Sequence, residues 1–578
     1  MVGVSPPAAL PDIPLLPPLP AGFVGRAEAL AWLQDAATEA PTRVVGLSGP
    51  PGAGKTALAI VAARQLAPVF PGAQFFIDLD DLGPSPSPGA VMAQVIWSLQ
   101  PQAVLPENQA RLPEAYRSLL KGRRVLLVLD GVPSLPAWAA LAPPQGCLLL
   151  VGQPGLPAQA ELALEPLPEG EAEQLLRGLS PRIGPAAAEL AALCGRLPLA
   201  LRLAAAALSA GSALVTSGYL GRMLDEQAAS KVVDPALAAL AVSARLLPPE
   251  TARLWQTLSV FPASFAPPAA AAVGDLTPEA AQNALDVLLG LSLLEPDRHA
   301  GRYRLHPLVR QFAARRLPVG EREPARQRHA VHYRDVLAAA NETAVANETD
   351  VANATAEADE TAAADGGGLL GGLRRFDLER ANVRAGQAWA AARAGESLFA
   401  SRLASDYAAA GARLLPLRQS SFGRLGWLET ARSAAQQLGD HDAEGSHLDQ
   451  LGRLHRRAAN PRRAIGIYER RLRIARDSGD REAEGEALGR LGLTYMELGQ
   501  AQPALDHSRQ ALEIARELDN RRDEALTSWN MGLAYEALGD LPNAVAAMQR
   551  CVDYEREIHH PDAEDDAVEV EELRRRAA

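Results

Sequence analysis

The sequence predicts a multidomain chain: an α/β domain on a parallel sheet, a helical domain, a winged helix and a C-terminal α-solenoid. Three observations carry this. Four short apolar runs, at 44–48, 74–79, 125–129 and 147–151, alternate with helical stretches over residues 23–158. Such runs read as buried parallel strands, and strand–helix alternation gives a doubly wound sheet. An Ala/Leu-rich helical region over 159–235 leads into short helices over 236–318, which end in two extended pieces, 291–296 and 301–306, around a turn. Helices closed by a small hairpin suggest a winged helix. Unlike residue types then recur every 40 positions: Gly452, Gly492 and Gly532; Ala464, Ala504 and Ala544; Glu444, Glu484, Glu524 and Glu564. A repeat of this length is a helix hairpin that buries its apolar face only by stacking on its neighbours.

The remaining segments follow from composition. Residues 1–22 carry Pro6, Pro7, Pro11, Pro14, Pro17, Pro18 and Pro20 and read as an extended leader. Residues 319–368 read as a linker, whose low-complexity Ala/Glu/Asp/Thr segment from 341 is either linker or a loosely helical insertion. Residues 369–578 form the tetratricopeptide-like solenoid, with 401–440 a degenerate early unit. In each hairpin the repeated glycine lets the paired helices approach, while Gly499 and Gly539 supply the turn between them.

A chain of 578 residues exceeds a single core. Aromatics are only 4%, which favours close-packed helices over sandwiches. The net charge of −12 disfavours general binding to DNA or anionic membranes. Cys147, Cys194 and Cys551 stand far apart with no metal spacing or disulfide framework, which suits a reducing cytoplasm. There is no secretion signal and no apolar run of about 18 residues, so a cytoplasmic protein without membrane spans is expected. The sequons at Asn341, Asn347 and Asn353 are then chance matches.

The segment Gly49-Pro-Pro-Gly52-Ala53-Gly54-Lys55-Thr56 matches G-x-x-x-x-G-K-[ST] between an apolar strand and an Ala/Leu helix. This is the phosphate-binding loop of a P-loop NTPase. Its glycines let backbone N–H groups from Gly49 to Ala57 turn around phosphate oxygens, and the following helix adds its dipole. Lys55 is expected at the β- and γ-phosphates, and the Thr56 hydroxyl on Mg²⁺. The strand 125–129 ends in Asp130, which is expected to orient Mg²⁺ or its water. A second acid commonly follows to polarise the attacking water; here Gly131 follows. With no other base in view, the chain is at most a slow ATPase.

Together these motifs resemble the STAND class of signalling NTPases in its NB-ARC branch, over residues 23–318. Phe23-Val24-Gly25-Arg26 resembles the entry motif, and the resemblance implies adenine held by the backbone, with Arg26 on the nucleotide. Gly195-Arg-Leu-Pro198-Leu199 resembles the G-x-L-P-L motif, which implies Pro198 against adenine. Arg304-Leu-His306-Pro307 resembles the M-H-D motif, which implies His306 on the β-phosphate of ADP, locking a closed form. Three positions depart from the pattern. Val151-Gly-Gln-Pro154 lacks the sensor arginine for the γ-phosphate, Pro307 replaces the motif's aspartate, and Asp80 stands where bacterial members often carry arginine.

The leading functional expectation is an ADP/ATP switch whose repeats bind a protein partner, with self-assembly in the ATP state. One alternative is a non-catalytic repeat scaffold holding a structural ADP. Another is a transcription regulator whose winged helix binds DNA through Arg302, Arg304, Arg310, Arg315 and Arg316; the acidic chain argues against nucleic acid. A run of nine arginines between Arg453 and Arg476 reads as a solvated face, or else as a docking surface for an acidic partner.

Overall fold

A computed structural model describes residues 16–577 apart from 21, 84–85, 107, 211–215, 230–233, 298, 300 and 354–367. The leader up to residue 15 and the low-complexity stretch 354–367 lie outside the described residues. The chain forms two compact units, Met1–Trp389 and Ala390–Ala578.

The first unit begins with α1 (Ala27–Thr38), β1 (Thr42–Ser48), α2 (Lys55–Leu66), β2 (Ala73–Asp78), α3 (Pro88–Leu99) and α4 (Leu112–Leu120). It continues through β3 (Val125–Val132), β4 (Gly146–Gly152) and β5 (Ala160–Ala163). All five strands are parallel, in the order β2-β3-β4-β1-β5. The four strands expected from apolar runs are present. The fifth was missed because β5 has the half-exposed edge sequence Ala-Glu-Leu-Ala. Val125, Leu127 and Leu129 on one face of β3 join Val91, Val95 and Tyr116 of α3 and α4 in the core. The carboxyl ends of β1, β3 and β4 come level, with Ser48 and Val132 both beside Gly152. Ligands of doubly wound sheets sit at that edge.

The helical region holds α5 (Glu169–Leu179), α6 (Ala187–Leu193), α7 (Pro198–Ala210) and α8 (Thr216–Ala229). Gly195 (φ 58°) and Arg196 (φ 54°) reverse the chain before α7. Next come α9 (Pro235–Ala244), α10 (Pro249–Thr257), α11 (Pro267–Gly274) and α12 (Pro278–Gly290). The hairpin of β6 (Glu295–Pro296) and β7 (Tyr303–Arg304) precedes α13 (Pro307–Arg316). Each helix from α9 to α13 opens on proline, the residue that loses nothing at a first helical position.

From 319 to 353 the chain is helical, so of the two readings of the segment from 341 the described part takes the helical one. This stretch forms α14 (Val319–Asn353), which packs on α10 and α11. Ala330, Tyr333, Leu337, Ala340 and Ala344 are buried at spacings of three and four, a helical stripe that the low-complexity composition obscures. Helix α15 (Gly368–Arg393) follows.

The second unit holds α16 (Leu398–Ala410), α17 (Leu415–Arg418), α18 (Ser421–Leu438), α19 (His441–Arg457) and α20 (Pro461–Ser478). It ends with α21 (Arg481–Glu497), α22 (Ala501–Glu517), α23 (Arg521–Ala537), α24 (Leu541–Glu557) and α25 (Ala563–Ala577). From α18 onward each helix packs on the next. The repeated glycines mark the closest approaches. A β-carbon on Gly452, Gly492 or Gly532 would lie 2.3 Å from Tyr468, Ser508 or Met548 of the paired helix. The acidic C-terminal stretch forms α25, which seals the last hairpin with Val570 and Leu573 on Met548 and Val552.

Candidate nucleotide-binding site

The loop after β1 turns through Gly49 (φ 147°), Gly52 (φ 79°) and Gly54 (φ 90°), and α2 begins at Lys55. This conformation points successive N–H groups to one side and suits glycine alone. The Lys55 ammonium donates to Gly49 O at 2.8 Å and Pro50 O at 3.0 Å. Burial pulls its pKa down, against the pull of Asp130. Thr56 Oγ1 donates to Asp130 Oδ2 at 2.7 Å. Octahedral Mg²⁺ with bonds of about 2.1 Å needs neighbouring oxygens about 3 Å apart. The Thr56 and Asp130 oxygens therefore fit the ion in both hardness and spacing.

Asp130 is held by its surroundings. Burial and the like charge of Asp78 push its pKa up to about 6, opposed by Thr56, Arg304 and the Gly131 N–H. Asp78, on β2, stands directly beside it in the parallel register. Asp78 accepts from Asp80 N at 3.0 Å and pairs with Arg304 of the hairpin. Asp80, the departure noted in sequence, pairs with Arg310 of α13 at 2.9 Å. The backbone carbonyl of Leu82 accepts from Arg384 of α15 at 2.9 Å. Three arginines from three elements thus grip the segment that follows β2. The sequence pattern carried no sign of this, because each pair spans more than 200 residues.

The neighbouring motifs also reach the loop. Leu199 N–H donates to Gly52 O at 3.2 Å, and a β-carbon on Gly54 would sit 3.6 Å from Pro198. Arg26 (φ 67°) donates through Nη2 to Ala53 O at 3.2 Å, and its N–H to Glu171 at 3.3 Å. Gly25 packs so closely on the Glu171 carboxylate that a β-carbon would overlap it, and Val24 is half-buried. Ala57 lies in the first turn of α2. Sequence reading missed Glu171 and Asp78, and it read Arg310 only as charge for DNA.

His306 caps α13: its Nδ1 accepts from Leu308 N–H at 3.2 Å. That bond assigns the neutral ring's proton to Nε2. Burial lowers its pKa, and the charges of Arg304, Lys55 and Arg310 lower it further against Glu295. Pro307 therefore has a structural role as the first residue of α13. Gly131 likewise answers a backbone need: it has φ 78° at an irregularity in the β3–β4 register between Asp130 and Val132.

The hairpin arginines are engaged within the fold. Arg302 makes a buried, two-pronged pair with Glu379 and donates to Ser264 O at 2.8 Å, Arg304 pairs with Asp78 and Arg310 with Asp80. Arg316 stacks over Phe312 at 3.6 Å. The charge that favoured a DNA-binding hairpin is thus largely spent internally.

Parts of the chain match known proteins. The tetratricopeptide-repeat family matches residues 448–482 and 484–556. The chain is 31% identical over 326 residues to the regulatory protein AfsR of Streptomyces coelicolor, covering 52% of this chain and 32% of that protein. It is 30% identical over 342 residues to AfsR of Streptomyces griseus, covering 55% and 34%. The chain spans about a third of the length of these curated relatives. Among solved structures, a STAND protein with a tetratricopeptide-repeat sensor from Pyrococcus horikoshii is 17% identical, with 96% of this chain and 87% of that one covered and a TM-score of 0.44. The chain thus joins a parallel sheet that carries a phosphate-binding loop to C-terminal tetratricopeptide repeats, and over about half its length it is similar to the AfsR regulatory proteins.

Proposed function

We propose that this chain is an ADP/ATP-binding signalling switch that couples nucleotide state to protein binding and assembly through its repeats. One observation carries the reading: parts from different segments of the first unit converge on the phosphate-binding loop. Leu199 bonds Gly52, Arg26 bonds Ala53, and Arg304 ties the hairpin to Asp78 beside Asp130. A ligand in that loop touches parts that are able to separate, so its phosphate state biases whether they stay together. The name of the AfsR relatives, regulatory proteins, agrees with such a role.

In this reading Lys55 exchanges the Gly49 and Pro50 carbonyls for β- and γ-phosphate oxygens. Thr56 and Asp130 hold Mg²⁺, which neutralises phosphate charge when bound. His306 donates Nε2–H to the β-phosphate of ADP, and Pro198 and the backbone at Val24 and Gly25 flank adenine. Opening in the ATP state exposes surfaces for self-assembly, and cellular adenine nucleotide implies action in the cytoplasm. Gly131 favours a second reading, a scaffold with structural ADP, because its left-handed backbone disfavours an acid that would polarise water.

The test is to purify the chain without added nucleotide, identify by mass what is released on denaturation, and measure its exchange. The switch predicts one ADP per chain that ATP displaces. Failure of the folded chain to bind any adenine nucleotide overturns both readings, and ADP that never exchanges leaves the scaffold.

A further inference from the structure

The nine arginines between Arg453 and Arg476 are not a uniform solvated face. Five are tied to carboxylates of the second unit: Arg456 to Glu497, Arg463 to Glu429, Arg470 to Glu444, Arg471 to Asp449 and Arg476 to Glu484. Arg453 and Arg457 are different. Among the described residues no ion pair within 4 Å joins either to a carboxylate, Arg453 acting on Asp449 only from further away, and both line a cleft of about 180 Å³ between α16, α17, α18 and α19. They lie one turn apart on the same face of α19.

The opposite wall of this cleft is apolar. Trp427 and Leu428 of α18 and Leu415 of α17 form it, with Trp427 fixed edge-on to Tyr407 at 6.1 Å between ring centroids. Arg424 also borders the space, and among the described residues no aspartate or glutamate lines it. A half-enclosed space with an aromatic wall and clustered guanidiniums has one natural complement: an anion carried on an apolar body. The apolar part replaces water against Trp427 and Leu428, and planar guanidinium forks match a carboxylate in two-pronged geometry. The volume admits a group of amino-acid side-chain size, not a folded surface.

We infer that this cleft is a binding site for a carboxylate attached to an aromatic or branched apolar group, supplied either by a free organic acid or by the C-terminal residue of a protein partner. This rests on the reading of the repeats as the partner-binding part of the switch, and it names the chemistry that they recognise. It does not require that nucleotide state control the cleft.

The test uses the full chain, as wild type and as Lys55→Ala, and two probes that differ only in charge: N-acetylphenylalanine and N-acetylphenylalanine amide. Binding is read by calorimetry and by ligand-observed NMR. The acid should bind and the amide should be at least about tenfold weaker. Arg453→Gln with Arg457→Gln should remove the difference, and Trp427→Leu should weaken both probes. Each variant's helical content and melting temperature report whether it is folded. A six-residue peptide ending in phenylalanine distinguishes the sources: it binds more tightly than the single residue if a protein terminus is the ligand, and no better if a free acid is. Equal binding of acid and amide, indifference to the paired arginine substitutions, or no binding at about 10 mM overturns the site. Because the Lys55→Ala chain is included, failure here is separable from failure of the nucleotide switch.

Discussion

Arg304 of the hairpin pairs with Asp78 at the end of β2, and Asp78 lies in register beside Asp130, which itself bonds Thr56. The hairpin therefore touches the candidate metal-binding carboxylate through one intermediary. Arg304 is part of what keeps Asp130 ionised, against burial and the like charge of Asp78.

A pH dependence follows. Mg²⁺ binds an ionised carboxylate, and the Asp130 pKa is raised to about 6. Mg²⁺-dependent nucleotide affinity should hold above that pH and decline as pH falls through it, while affinity without Mg²⁺ changes less. Arg304→Ala removes a charge that lowers this pKa, so the decline should begin at higher pH. Titrations of a fluorescent adenine nucleotide from pH 5 to 8, with and without Mg²⁺, check both statements. A profile that is flat with Mg²⁺ would remove Asp130 from the metal site.

Lys55→Ala should abolish nucleotide binding and leave the melting of the repeats unchanged. The substituted ammonium belongs to the loop and, among the described residues, bonds the loop carbonyls of Gly49 and Pro50. Equal affinity of the two chains for the same nucleotide would end the phosphate-loop assignment.

ATP turnover should be slow, below about 0.1 s⁻¹ against typical enzyme values of about 1–10³ s⁻¹. Gly131→Asp should not raise it. At φ 78° a β-carbon meets no neighbouring atom, yet the backbone itself resists a side chain by about 1–2 kcal/mol. Phosphate release in the steady state decides this; turnover above about 1 s⁻¹ from the unmodified chain would contradict it.

His306→Ala should accelerate ADP release by about ten- to a hundredfold, the equivalent of one charge-assisted hydrogen bond of about 1.5–3 kcal/mol. The substitution also deletes the cap of α13, worth about 0.5–2 kcal/mol. His306→Ser separates the two, since serine restores the cap without the reach of an imidazole. If the serine chain releases ADP at the wild-type rate, His306 acts only as a cap.

The repeat glycines should differ in tolerance. Gly452→Ala drives a β-carbon into the Tyr468 ring and should destabilise the repeats by about 1–3 kcal/mol. Gly532→Ala meets the flexible Met548, and alanine's helix preference of up to about 1 kcal/mol should offset much of the clash. Thermal melts of the two variants give the ranking, and a reversed order would mean that Tyr468 moves aside more readily than Met548.

Much of this was legible in the sequence because it rests on local pattern. The strands of the sheet announce themselves as apolar runs, the loop as spaced glycines before Lys55 and Thr56, and the hairpins as a 40-residue period. What escaped is long-range charge pairing. Nothing near Asp78 or Asp80 in sequence points to Arg304 or Arg310, and Gly131 and Pro307 read as losses until their backbone roles are seen. Helix α14 was only half legible, since alanine makes up much of its buried stripe and alanine-rich composition also marks low complexity.

The bridges between successive hairpins repeat with the helices. Arg476 joins Glu484 at 2.8 Å, Arg516 joins Glu524 at 2.8 Å and Arg556 joins Glu564 at 3.0 Å, each pair one period after the last. A bonding pattern that recurs with the unit is indifferent to how many units there are. A duplicated 40-residue block would arrive with its own arginine and its own glutamate, already matched to both neighbours. The array is thus able to lengthen or shorten by whole modules without rebuilding any junction.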